Sequence, residues 1–129
     1  MVPGRSVPEL IEEHFEGLAA GDEAAYTELV HEDFVQEWPQ TGERVRGKEA
    51  CLNIARNYPG GPPQMTFGSV TGEGDHWAVR AMSRYPDGTD YHVVSLLELR
   101  DGKVARQTDF FAPMYPAPEW RRQWVEALD

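Results

Sequence analysis

The sequence predicts an α+β fold in which helices come first and an antiparallel meander follows. Apolar residues recur at helical spacing through the first 57 or so positions, and after Pro59-Gly60-Gly61-Pro62-Pro63 the period falls to 2 and stays there. Turn signals at Gly72-Glu73-Gly74-Asp75, Pro86-Asp87-Gly88 and Asp101-Gly102 then divide the second half at hairpin spacing.

The first helix is expected to start at Pro8, a favoured first-turn residue, and to stop at Gly21-Asp22. Its apolar stripe is Ile11, Phe15 and Leu18; His14 shares that face and points inward. A second, short helix is expected from about Asp22, a good N-cap, to Val30. Glu32 to Trp38 reads as a short strand stopped by Pro39, and PQTGERVRG as a loop. A third helix, about Lys48 to Asn57, buries Ala50, Cys51, Ile54 and Ala55. Four strands follow, about Gln64 to Thr71, Trp77 to Tyr85, Thr89 to Arg100 and Lys103 to Phe111. In the last of these Lys103, Ala105, Gln107, Asp109 and Phe111 alternate against Val104, Arg106, Thr108 and Phe110, which sets an acid between an amide and an aromatic ring. From Pro113 the chain is rich in proline and tryptophan; Trp120, Trp124 and Leu128 lie at helical spacing, so a helical turn is expected to dock on the body.

The length of 129 residues suits a single domain. A net charge of -10 argues against nucleic acid, whose binding needs a basic surface. No apolar run approaches a membrane span and MVPGRSVPEL lacks a signal-peptide core, so a cytoplasmic protein without a membrane partner is expected. Cys51, the lone cysteine, reads as a small core residue. No two histidines share a spacing that would aim both at one ion, so neither a metal nor another cofactor is expected.

The order of elements, with AAGDEAAYTELVHEDFVQEW near the start and LLELRDGKVARQTDFFAP near the end, resembles the NTF2-like superfamily, and within it the SnoaL-like polyketide cyclase group. The resemblance implies a cone: a curved, mainly antiparallel sheet wrapped around the N-terminal helices and enclosing an apolar pocket. It also implies a homodimer paired through the outer sheet face, where Met82, Val94, Leu96 and Phe110 would form an apolar centre. On such a cone Trp77, Tyr91, Ser95, Gln107, Asp109 and Phe111 face the concave side, and His14, Phe34, Trp38 and Tyr58 close the cavity. Asp109 resembles the last-strand aspartate that serves the cyclases as acid/base in aldol closure. Where they carry a histidine on the preceding strand, this chain has Ser95. The positions similar to the catalytic ones of ketosteroid isomerases hold His14, Trp38 and Ser95, and all three differ. Arg80, Arg84 and Arg106 alternate away from Asp109, unlike the Asp-Arg-Asp set of epoxide hydrolases.

Asp109 and His14 are thus the candidate catalytic residues. Trp38, Phe34, Tyr58, Trp77, Tyr91, Ser95, Gln107 and Phe111 are the candidate substrate contacts. Phe111, Trp77 and Leu97 are expected to surround Asp109, an apolar setting of the kind that suits a carboxyl group to general acid/base work. The expected function is a cofactor-independent acid/base enzyme of cyclase, isomerase or dehydratase type acting on a small hydrophobic carbonyl compound. The alternative is a non-catalytic binding or assembly module with the same cavity.

Overall fold

The structure, a computed structural model, describes residues 4–128. Helix α1 (Val7–Ala20) begins at Ser6, whose side chain accepts the Glu9 amide at 3.3 Å, with Pro8 in its first turn. It ends at Gly21, which adopts φ 76° so that the Gly21 and Asp22 amides can donate to the carbonyls of Leu18 and Gly17. Asp22 in turn caps α2 (Glu23–Leu29) by accepting from the Ala25 amide at 3.1 Å.

Strand β1 (Val30–Trp38) follows α2 without a loop. Val30, expected to close the helix, opens the strand instead, its β-branched side chain wholly buried. The segment expected to be a loop contains a further strand, β2 (Glu43–Arg46), which pairs antiparallel with β1. After α3 (Lys48–Arg56) come β3 (Gln64–Glu73), β4 (His76–Arg84), β5 (Asp90–Arg100) and β6 (Lys103–Pro113). The β5–β6 connection is the turn foreseen at Asp101-Gly102, both at positive φ (55° and 74°) as a two-residue hairpin of the mirror-image type requires.

The six strands form one sheet in the order β2-β1-β6-β5-β4-β3. β1 runs parallel to β6, and the other pairs are antiparallel. Irregularities at Phe67/Ser69 and Glu98/Leu99 bend the sheet. At the first of them Gly68 lies so close to β4 that a Cβ would stand 2.7 Å from the Arg80 carbonyl oxygen. The second changes the face of β6. Leu99 opposes Val104 while Glu98 opposes Arg106, so Ala105 is the extra residue, and Val104 is buried on the same side as Gln107 and Asp109. Strict alternation had put Val104 on the opposite side.

α1 packs on α2 and β3, and α3 on β1 and β2, so the helices fill the concave side of the sheet. The core joins Leu10, Ile11 and Phe15 of α1 with Tyr26, Leu29, Phe34, Cys51, Val79, Leu97 and Val104. Among the described residues no helix is long and apolar enough to cross a membrane. Beyond β6 a 3-10 turn forms at Glu119–Trp124, but Trp120 and Trp124 stay 73% and 71% exposed, so the expected docking on the body is not made.

Candidate active site

Asp109 lies in the middle of β6, directly across from Ser95 of β5, and β1 runs on its other side with Gln36 opposite Gln107. This three-strand register determines what surrounds the carboxylate. Ser95 Oγ donates to Asp109 Oδ1 at 2.6 Å and Gln107 Nε2 to the same oxygen at 2.8 Å. On the other oxygen, Gln36 Nε2 donates to Oδ2 at 2.5 Å and Trp38 Nε1 at 3.1 Å. Asp109 is 2% exposed, and a buried carboxylate is tolerable where donors replace the lost water. The apolar surrounding expected for it is therefore corrected: Leu97 and Trp77 pack into the core, and a nest of four donors meets the acid.

The orientation of Gln107 follows from the carboxylate. Its amide nitrogen must face Asp109, so its oxygen faces α1, where His14 Nε2 lies 2.7 Å away. His14 Nε2 therefore carries the proton and donates. Burial pushes the imidazole below its ordinary range, against the opposing influences of the Gln107 bond and the Asp109 charge. The ring is neutral, stacked on Tyr26 at 5.3 Å and edge-on to Phe34 at 6.2 Å, and its Nδ1 has no hydrogen-bond partner among the described residues. Gln36 is likewise oriented, with its oxygen 3.6 Å from the Cys51 sulfur. Burial pushes that thiol up, so Cys51 is a neutral wall residue.

These groups border a cavity of about 500 Å³ between α1, α3 and the sheet. His14, Gln36, Trp38, Ser95, Gln107 and Asp109 form its polar wall, and Phe15, Leu18, Met65, Val93 and Phe111 lie among its apolar lining. Tyr58, Tyr85 and Tyr91 make an aromatic row with ring centres 5.6 and 5.2 Å apart. Burial, with Tyr58 beside it, pushes the Tyr85 phenol up. At the rim Gln40 clamps the end of β6, donating to the Phe111 carbonyl at 2.6 Å and accepting the Phe111 amide.

Of the candidates from sequence, the structure brings Asp109, His14, Trp38, Tyr58, Tyr91, Ser95, Gln107 and Phe111 to this one cavity. Phe34 and Trp77 are corrections. Phe34 faces inward but is 1% exposed in the packed core behind His14. Trp77 sits at the far end of β4, packed on the core, with its Nε1 donating to the Gly74 carbonyl at 2.9 Å. Gln36 and Tyr85 were missed. Gln36 shares strand parity with Trp38, so a signal for it was present. Glu37 points away, toward Arg44 at 3.2 Å and Arg106 at 3.6 Å. Among the described residues no three His, Cys, Asp or Glu side chains converge as metal ligands would.

An α+β cone holding an apolar cavity around one buried, fully hydrogen-bonded carboxylate is the class of protein that this fold and site define. The chain belongs to the SnoaL-like domain family, which matches residues 11–107, and with it to the NTF2-like superfamily. Among solved structures it is similar to an NTF2-like protein of unknown function from Burkholderia xenovorans, at 32% identity over 95% of each chain and a TM-score of 0.83. It is also similar to a putative ketosteroid isomerase from Kribbella flavida, at 31% identity over 95% of this chain and 90% of that one, with a TM-score of 0.85. A putative polyketide cyclase from Sinorhizobium meliloti shares 25% identity over 80% of this chain and 94% of its own, with a TM-score of 0.67. No curated protein matches at a significant level.

Proposed function

We propose that the protein is a cofactor-independent acid/base enzyme, of cyclase, isomerase or dehydratase type, acting on a small hydrophobic carbonyl compound. The observation that carries this reading is Asp109, a carboxylate 2% exposed on the wall of an apolar cavity and oriented by four side chains. Held in this way, Asp109 is placed to take a proton from the carbon beside a substrate carbonyl and to return it. The neutral His14 fixes the orientation of Gln107 and through it that of the carboxylate, while its own Nδ1 is buried without a partner among the described residues. Tyr58 and Tyr91 supply phenolic donors for the carbonyl oxygen, and Trp38 and Phe111 supply shape. Neither Lys nor Arg lines the cavity among the described residues, so an anionic ligand would meet Asp109 without a counter-charge.

The second reading, a non-catalytic binding module, draws on the same bonds: both oxygens of Asp109 already have two donors each. The two readings diverge in Asp109→Asn. With a panel of hydrophobic β-hydroxyketones, the enzyme reading expects binding within a few-fold of wild type and turnover lost by at least about a hundredfold. Binding without turnover in the wild type itself would establish the second reading.

We further propose a homodimer through the outer sheet face. Val94, Leu96 and Phe110 are 40%, 47% and 39% exposed there beside half-buried Met82, ringed by Arg80, Arg84, His92 and Glu98. An apolar centre with a polar rim is the make-up of an interface.

A further inference from the structure

The exposed large apolar side chains of the described residues are not scattered. Ile54 stands alone at the cavity; Val94, Leu96 and Phe110 lie on the outer sheet face; Met114, Tyr115, Trp120, Trp124, Val125 and Leu128 lie on the segment after β6. That segment shows 63%, 77%, 73%, 71%, 54% and 95% of these side chains to water, a larger apolar display than the rest of the described surface offers. Isolated exposed apolar residues are ordinary, whereas six within fifteen positions are the mark of a surface that is covered in use.

From these observations we propose that residues 114–128 are an exchange arm that lies on a second copy of this chain. The proposal rests on the outer-face dimer for where the second copy sits, but not on what the cavity does. Three observations support it. The arm is continuous with β6, whose Phe110 belongs to the outer face, so it starts at the border of the proposed contact. Pro116 and Pro118 keep its first part extended, with Pro118 at φ -70° and ψ 143°, and the side chains beyond them stay off its own body. With Glu119–Trp124 in a 3-10 turn and the other nine residues extended, the arm reaches up to about 40 Å, beyond the roughly 35 Å breadth of a chain this size, so it is long enough to lie on a neighbour.

Exchanged arms would enlarge the contact beyond the sheet face, whose apolar centre is limited to Val94, Leu96, Phe110 and half-buried Met82. Two arms exchanged about a two-fold axis, each carrying two tryptophans and a tyrosine, would remove on the order of 1,000–2,000 Å² more.

The test uses the intact chain. Sedimentation equilibrium of wild type, Trp120→Ser/Trp124→Ser and Leu96→Glu/Phe110→Glu measures the dimer constant, with melting curves checking that each variant folds. The tryptophan variant should weaken dimerisation by at least about a hundredfold, since buried tryptophans are the usual energetic anchors of an interface. A photo-crosslinking amino acid at Tyr115, in a mixture of light and isotopically heavy chains, should give adducts between light and heavy chains. An unchanged dimer constant in the tryptophan variant, or adducts confined within single chains, overturns the arm while leaving the outer-face dimer standing. A weakened tryptophan variant beside an unaffected Leu96→Glu/Phe110→Glu keeps the arm and overturns the face. A monomeric wild type overturns both.

Discussion

Asp109→Asn tests the polar wall at its centre, because the substitution keeps the shape and inverts one hydrogen-bonding position. An amide offers one oxygen and one NH2 where the carboxylate offered two acceptors, so one of the two donor pairs must adapt. The Trp38 and Gln36 pair is the harder to change: an indole N–H only donates, and Gln36 is held by Cys51 as well. The Ser95 and Gln107 pair can adapt. Ser95 turns its hydroxyl to accept, and Gln107 flips its amide so that Oε1 accepts from the new NH2 and Nε2 donates to His14. His14 must then accept at Nε2 and carry its proton on Nδ1. The fold keeps these bonds but loses the ionic strengthening of four of them and leaves the Ser95 hydroxyl proton and the His14 Nδ1 proton without acceptors, offset by the relief of burying a charge, a cost of about 2–4 kcal/mol. For a chain of this length that is a fall in melting temperature of about 6–20 °C. Asp109→Leu instead orphans four buried donors and should cost about 4–12 kcal/mol, well above the Asn variant. Thermal melts measure the stabilities and nitrogen-15 NMR of the His14 ring reads the tautomer. Equal destabilisation by Asn and Leu, or a His14 that keeps its Nε2 proton in the Asn variant, would refute the relay.

Further outcomes follow from the same contacts. His14 is held neutral because burial lowers its pKa, so the unfolded chain binds this proton first as pH falls. Its share of stability is full above the unfolded value of about 6.5 and is lost from there down toward the lower folded value. Wild type should therefore melt progressively lower between pH 7.5 and 5, and His14→Phe should show a flatter profile over that window. Trp38→Phe should weaken ligand binding at least severalfold by removing a donor to Asp109, while Trp77→Phe should cost stability of about 1 kcal/mol and leave ligand affinity unchanged. Calorimetry on the two variants separates a cavity tryptophan from a core one.

The layout was legible because the change from period 3.6 to period 2 is carried by many residues and is hard to mistake. β2 was not, since only Val45 of Glu43–Arg46 is buried and one apolar residue in four carries no period. Parity was a good guide to face and a poor one to depth: Phe34 and Trp77 turn inward as expected, yet Phe34 lies in the packed core and Trp77, half-buried, packs against it, away from the space that Trp38 and Tyr91 border. The bulge at Ala105 shows a second limit, because an inserted residue changes which side chains share a face without leaving a glycine or proline to announce it. The setting of Asp109 was misjudged for a related reason. Ser95 was located on the adjoining strand, but Gln36 comes from a parallel neighbour whose pairing no local turn reveals.

That parallel pairing of β1 with β6 bears on when the site comes into being as the chain folds. Gln36 and Trp38 meet Asp109 across 73 and 71 residues of sequence, and His14 meets Gln107 across 93. Contacts so distant along the chain must close large loops before they repay any entropy, so hairpins such as β5–β6 have time to form first. The β1–β6 pairing is then expected after the β5–β6 hairpin, and until it forms Asp109 has its β-hairpin donors but not its other two. Occupancy of the cavity is thereby a late event in folding, and a ligand that requires the completed wall would report the moment of chain closure.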